Sequence, residues 1–295
     1  MKSLQEIIGR AKQKGPLGMA VVMPHDIATI HAIKEGMDAQ LVQPELFGDR
    51  AKILPLLEEA GLAENAVIVS QEEKGALPAA IASVREGRNK LLMKGSVPTP
   101  ELLRAVLDKE KGLGTGKICS HAVVSEIPGF NRLLIVTDGG LNILPDVDQK
   151  VDIIRNAVDL AHALGIELPK VALLASVEEV STKLPATTDA AILTQMARRG
   201  AIKGAIVDGP LALDNILSVE AAKKKGIQSE VAGLADIIVT PSVETGNVLG
   251  KSLEFFANAV IAGIVLGAKA PIILPSRAGK IESKWASIAV AVLLG

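Results

Sequence analysis

Short runs of Val, Ile, Leu and Ala recur along this chain, each followed after a turn by a longer amphipathic stretch. The runs are apolar at nearly every position rather than at every second one. That pattern belongs to strands covered on both faces, and parallel sheets are covered that way. Runs of this kind are Met19–Met23, Ala66–Ser70, Lys90–Lys94, Ile118–Ser125, Arg132–Thr137, Lys170–Ala175, Gly204–Val207, Asp236–Val239 and Pro271–Leu274. Between them, helical stretches are expected over Ile27–Lys34, Ala51–Ala60, Pro78–Glu86, Pro100–Glu110, Val151–Leu164, Asp189–Arg199, Leu213–Lys225 and Val243–Leu266. Strand–helix alternation of this extent predicts an α/β fold.

The 295 residues are about twice a typical domain, so one large or two medium domains are expected. Glu126–Asn131 is a turn-rich break. The segment after Lys269 is too short to be a domain, so it must complete a sheet begun earlier. The expected division is residues 1–128 plus 270–295 as one α/β domain and 129–269 as the other, with a cleft between them. The most apolar stretch, Ala259–Ala268, is too short to span a bilayer and is expected to be a buried helix.

Composition removes several function classes. Lys and Arg number 32 against 33 Asp and Glu, so the cationic excess that nucleic acids and anionic membranes attract is missing. Aromatics are 2%, with no Tyr, which leaves few platforms for stacked bases. The single cysteine, Cys119, excludes internal disulfides and Cys-based zinc sites. His25, His31, His121 and His162 are scattered, and no metal is expected. The start of the chain lacks an apolar secretory core. A cytoplasmic setting is therefore expected.

Ligands of open α/β sheets bind beyond the carboxyl ends of the strands, and five expected strand ends carry unusual polar groups. Lys94-Gly95-Ser96 leads to Thr99, an expected helix N-cap, and to Arg104 one turn in. Asp138-Gly139-Gly140 puts an acid and two glycines after a buried run. Asp208-Gly209-Pro210 puts an acid and one glycine after a later run. Thr245-Gly246-Asn247 offers donors at the start of a helix, where an anion is stabilised. Ser276-Arg277, followed by Gly279-Lys280, forms a compact cationic turn, and an arginine can grip a phosphate with two parallel hydrogen bonds. Facing one another across a cleft, these ends would bind one or more phosphorylated ligands.

Other signals carry less. Gly112–Lys117 lacks the hydroxyl residue and spacing of a Walker loop. Met23-Pro24-His25-Asp26 stands where a dinucleotide-binding glycine turn would follow the first strand. There is no Gly-x-Ser-x-Gly elbow. Cys119 sits in an apolar run and is expected to be an inert buried thiol, and His121 a satisfied structural histidine.

Taken together, Met93–Val97 with Thr99, Leu103 and Arg104, the Asp138-Gly139-Gly140 turn, Asp208–Leu211, Thr245–Asn247 and Pro275-Ser276-Arg277 resemble the phosphate acetyl/butyryl transferase family, nearest its butyryl branch. The resemblance runs over nearly the whole chain in the family's order. It implies the two-domain α/β architecture shared with isocitrate and isopropylmalate dehydrogenases, with the active site in the interdomain cleft. It implies direct transfer between acyl-CoA plus phosphate and acyl phosphate plus CoA, on butyryl or branched short chains. No metal or redox cofactor is implied, and a homo-oligomer, a dimer or larger, is.

By the same resemblance, Ser276 and Arg277 stand at the family's active-site pair and Arg104 at an arginine that binds CoA or phosphate. Lys94, Gly95, Ser96, Thr99, Asp138, Asp208, Gly209, Thr245, Gly246, Asn247 and Lys280 form the remaining substrate-binding set. The acetyl branch carries an Asp, as base for the CoA thiol, seven residues beyond the serine. This chain has Ser283 there and Glu282 beside it, so the base is Glu282, another group, or none. Two other readings stay open. One is a metal- and NAD-dependent decarboxylating dehydrogenase of the same architecture, for which clustered acids and arginines are lacking. The other is a non-catalytic CoA-binding protein.

Overall fold

A computed structural model describes residues 3–63, 68–71, 73–275 and 279–295. The fold is mixed α/β, and the chain divides into two compact units: Ile118–Ala259, and Leu4–Lys117 together with Val260–Gly295. These borders fall at 117/118 and 259/260, where the sequence pointed to 128/129 and 269/270.

The first segment opens with helix α1 (Leu4–Lys14), then β1 (Leu17–Val22), α2 (Ile27–Asp38), β2 (Val42–Phe47), α3 (Arg50–Glu59), β3 (Ile68–Gln71), α4 (Glu73–Arg85), β4 (Leu91–Lys94) and α5 (Thr99–Val106). β1 is parallel to both β2 and β4, with Val22 opposite Phe47 and Lys94. Met19 to Val22 and Leu91 to Met93 are wholly buried, as two-sided coverage requires. α2 begins where Asp26 accepts the Thr29 amide at 2.8 Å, a side-chain N-cap. β2 is not among the apolar runs expected from the sequence, and it contains Pro44. Proline cannot donate to a ladder; Pro44 lies opposite Met19 of β1, and among the described residues β2 pairs with β3 from Glu45 onward.

The continuous unit holds β5 (Ser120–Glu126), β6 (Leu134–Thr137), α6 (Val147–Ala163), β7 (Lys170–Leu174), α7 (Pro185–Arg198), β8 (Ile206–Leu211), α8 (Leu213–Leu217), α9 (Val219–Lys224), β9 (Ile237–Val239) and α10 (Val243–Phe255). Its strand order is β5-β6-β9-β7-β8. All these pairs are parallel except β5 with β6. Asp146 and Gln149 close a capping box at the start of α6, and Ser242 caps α10.

The chain then returns to the first unit through β10 (Val260–Leu266), β11 (Ile272–Ile273) and α11 (Ile281–Leu294). That unit's order is β3-β2-β1-β4-β11-β10. β11 lies parallel to β4, and β10 runs antiparallel to β11. The stretch 259–268 is thus a strand and not the buried helix its hydropathy suggested. Asn258, at φ 53, has left the helical conformation, and β-branched Val260, Ile261, Ile264 and Val265 favour the pleated form. α11 is buried from Ser283 to Leu293 except Trp285. Its Ser283 and Ser287 oxygens accept the β10 amides of Ile261 and Gly263 at 3.2 and 3.0 Å.

Candidate functional site

In the two-segment unit, β1, β4 and β11 are adjacent and parallel, so their carboxyl ends meet at one edge. A pocket of about 240 Å³ opens there, lined by Asp26, Lys94, Gly95, Ser96, Pro275 and Lys284. Lys94 is 2% and Lys284 4% exposed. Nζ of Lys94 donates to the Gly95 carbonyl at 3.0 Å. Nζ of Lys284 lies 3.4 Å from Thr29 Oγ1 and 3.7 Å from Asp26 Oδ1.

Gly95 is required by close approach. Its amide donates to Val22 O at 2.9 Å, and the next amide, Ser96, donates to Met23 O at 2.7 Å. A Cβ on Gly95 would stand 2.3 Å from that Met23 oxygen. The strand ends are thus laced together by backbone, with the hydroxyl of exposed Ser96 left at the pocket.

Asp26 and Lys284 were not singled out from the sequence. A signal for Lys284 was present: it is a cation at the head of the mostly apolar stretch Trp285–Leu294. Asp26 announced itself only as a helix cap, and nothing in a linear sequence brings position 26 to position 284.

The neighbouring expected residues divide. Thr99 is the first residue of α5 rather than its cap. Pro98 holds the cap position and makes no side-chain cap bond, because a proline ring has no acceptor to offer. Arg104, Lys280 and Glu282 are exposed, on α5, before α11 and on its first turn. Ser283 is buried and engaged by β10. Ser276 and Arg277 lie outside the described residues.

A second cluster belongs to the continuous unit. Asp138, 2% exposed, follows β6. Its Oδ1 accepts the amides of Gly140 and Leu141 at 2.7 and 2.9 Å. Its Oδ2 accepts the Asn142 amide at 3.3 Å and the Asn142 side chain at 2.6 Å. The carboxylate therefore folds the turn around itself. This turn rests on the first turn of α10: a Cβ on Gly246 would lie 2.4 Å from Asp138 O, and Asn247 Nδ2 donates to Gly139 O at 3.2 Å. Thr245, Gly246 and Asn247 are thus brought together with Asp138 and Gly139.

His121 packs under Gly140, whose Cβ would lie 2.8 Å from Nδ1. That nitrogen is buried without a partner among the described residues, so the expectation of a satisfied histidine does not hold. Burial pulls its pKa below the usual value, Asp138 works against this and Lys251 adds to it. Cys119 is buried, and burial pushes its thiol up. A thiol is nucleophilic only as thiolate, so Cys119→Ser is expected to keep turnover within about threefold of wild type. A tenfold loss in a folded variant would restore a role for sulfur.

Asp208 does not join that cluster. The strand does not end at Val207 as expected but continues through Asp208 and Gly209 to Leu211. Gly209 makes this possible, since a Cβ there would lie 2.6 Å from Leu173 Cβ. Asp208 pairs with Ala172, which pairs with Ile238, which pairs with Val136. It is therefore three strands, or about 14 Å, from β6 and below the level of Asp138. It faces a separate pocket of about 380 Å³ with Arg198, Gln228, Ser229 and Glu230, its carboxylate 3.9 Å from Arg198.

No helix among the described residues is long and apolar enough to cross a membrane. The family model described as phosphate acetyl/butaryl transferase matches residues 65–292. The phosphate butyryltransferase of Clostridium acetobutylicum is 43% identical over 100% of this chain and 98% of its own. The phosphate acetyltransferase of Thermotoga maritima is 43% identical over 98% and 99%. Among solved structures, a branched-chain phosphotransacylase from Enterococcus faecalis V583 aligns at TM-score 0.82 and 30% identity, over 94% of this chain and 98% of that one. With that much of its length matched, the chain belongs to the phosphate acetyl/butyryl transferase family.

Proposed function

We propose that this chain is a phosphate acyltransferase that interconverts short-chain acyl-CoA and phosphate with acyl phosphate and CoA. The observation that carries the reading is the small pocket at three converging strand ends with two buried ammonium groups, in a chain whose full-length relatives bear phosphate acyltransferase names. In the forward direction a phosphate oxygen bonds to the acyl carbon, the carbon–sulfur bond breaks and CoA leaves with the electron pair. Phosphate needs cations near it, and the tetrahedral oxyanion needs a donor. One such donor is worth roughly 3–4 kcal/mol.

We assign Ser276 and Arg277 to that centre, with Lys94, Gly95 and Ser96 at its phosphate side. Arg104, Thr99 and Lys280 stand near CoA, and Glu282 supplies the departing thiol's proton. A thiol of pKa about 8.5 leaves with little help, so the transfer depends more on cations than on a base. Asp138, Thr245, Gly246 and Asn247 serve from the other unit, whereas Asp208 and Gly209, expected in the same set, lie three strands away, Asp208 at a separate pocket. This assignment requires an interdomain cleft of the isocitrate dehydrogenase kind, supported by the polar turn that follows β6 in the one unit and the pocket in the other. No cofactor beyond the two substrates enters the reaction.

A cytoplasmic homo-oligomer completes the reading. Exposed Ile143, Leu144, Val248, Phe255 and Phe256, at 61–88% exposure, supply apolar surface of the sort that pairs subunits. Light scattering is expected to give at least twice 30.7 kDa, and a monomer would refute it.

The test of function is thiol release with phosphate and acetyl-, propionyl-, butyryl- or isobutyryl-CoA. Phosphate-dependent release, fastest with butyryl or branched chains, supports the proposal; a folded protein releasing no CoA from any of them overturns it. Arg277→Ala is expected to cut turnover at least tenfold, the scale on which a lost charge-assisted contact to phosphate is felt. Near-normal turnover in that variant would remove Arg277 from the site.

A further inference from the structure

We infer that Lys284 is a direct ligand of the phosphate substrate, sharing that oxyanion with Lys94 in the pocket at the ends of β1, β4 and β11. The inference rests on the acyltransferase reading and names a residue that reading does not contain.

The pairing of Lys284 shows that its charge is not consumed by the fold. This protein has another buried lysine, Lys150, and its partner is closed tightly: Nζ to Asp189 Oδ2 is 2.6 Å. Lys284 is as deeply buried, with its side chain 5% exposed, yet its nearest carboxylate oxygen is 3.7 Å away. That carboxylate is engaged elsewhere. Asp26 Oδ1 accepts the Thr29 amide at 2.8 Å and Oδ2 the Thr29 hydroxyl at 2.7 Å, both to cap α2. The remaining contact of Nζ, to Thr29 Oγ1, is 3.4 Å, long for a hydrogen bond from nitrogen to oxygen. An ammonium has three donors, and here none has a short partner among the described residues. A buried charge left this way is costly unless something completes its shell.

The pocket indicates what completes it. Lys94, 2% exposed, lines the same space, so among the described lining residues there are two cations and one half-exposed carboxylate, Asp26. An anion is the complementary guest. At about 240 Å³ the space falls below the range of pockets that hold drug-sized ligands. It is large enough for one compact oxyanion. CoA also carries phosphates, so the experiment separates the two sources.

Steady-state thiol release is measured with Lys284→Met, which keeps the stem and removes the charge, and with Lys284→Arg. In Lys284→Met, KM for phosphate is expected to rise at least tenfold while KM for butyryl-CoA stays within twofold, and Lys284→Arg is expected to recover most of the loss. A second readout needs no turnover. Inorganic phosphate is expected to raise the melting temperature of the wild type, and Lys284→Met is expected to lose most of that shift, while the shift given by CoA persists. An unchanged phosphate KM in Lys284→Met overturns the inference, as does a rise in the butyryl-CoA KM instead.

If Lys284→Met does not fold, Asp26→Asn decides. Asparagine keeps the helix cap and removes the opposing charge, so phosphate KM is expected to fall twofold or more; an unchanged or raised value overturns the inference. If wild type releases no CoA, the acyltransferase reading fails, and the phosphate-induced melting shift still tests Lys284 as an anion ligand.

Discussion

Replacing Gly95 by alanine is expected to lower phosphate-dependent CoA release at least a hundredfold and the melting temperature by roughly 6–12 °C. The added Cβ would lie 2.3 Å from Met23 O and 2.6 Å from Val22 O. Both are backbone atoms already fixed by accepting amides, Gly95 on Val22 and His25 and Ser96 on Met23. No side chain can swing aside, so the ends of β1 and β4 must part. Overpacking of this kind costs about 1–3 kcal/mol, and the upper end corresponds to that melting shift at roughly 2–4 °C per kcal/mol. The activity loss is larger than the stability loss because a displacement of about 1 Å in a positioned site can cost a hundredfold. Gly9→Ala is the control: nothing lies within 4 Å of the new atom in the middle of α1, and a gain of about 0.5–1 kcal/mol is expected. Calorimetry with the thiol-release assay checks both. A Gly95→Ala protein within 2 °C and threefold of wild type would show that the strand ends yield.

Asp138→Ala is expected to lose about 3 kcal/mol of stability and at least tenfold in turnover, and Asp138→Asn to recover most of both. Alanine removes the acceptor of three backbone amides and one of the two acceptors of the Asn142 side chain, which keeps its bond to Cys119 O at 2.9 Å. A buried donor left unpaired costs about 1–3 kcal/mol, and water reaches part of this turn, so the sum is well below three full penalties. Asparagine keeps one acceptor oxygen. Turnover falls because the turn seats the start of α10 through Gly139, Gly246 and Asn247. Urea titration gives the stability. A stable Asp138→Asn protein as inactive as Asp138→Ala would mean that the negative charge itself meets substrate.

The fold class was legible in the sequence because two-sided burial writes itself as unbroken apolar runs, and the runs ending at Lys94, Thr137 and Val239 are strands in place. What failed shares one cause: local hydropathy is blind to which neighbour a segment meets. Val260–Leu266 is as apolar as a buried helix, and its β-branched residues together with Asn258 decide the outcome. Val42–Phe47 carries a proline and two polar residues, Gln43 and Glu45, which break the apolar run that marks the other strands. Asp208 looked like a strand end because an acid followed by a glycine stands after the apolar run, whereas here Gly209 lets two strands close up. The anion pocket was half legible. Lys94 and Gly95 stand beside each other in sequence, but the pocket's second cation comes from a helix 190 residues later, and only the insertion of β11 beside β4 brings it there.

That insertion inverts the order in which the protein can acquire structure during synthesis. Emerging chains fold domain by domain as each becomes complete. The unit begun first is the one finished last, because its sheet lacks β10 and β11, and α1 lacks the contact in which Lys14 holds the carbonyls of Leu293 and Gly295. The middle unit, contiguous from Ile118 to Ala259, is whole while the earlier segment still waits at the ribosome with the β4 edge uncovered. Nascent chains halted before residue 260 would carry a folded middle and an unsealed beginning, and it is at that edge that chaperones or aggregation would act.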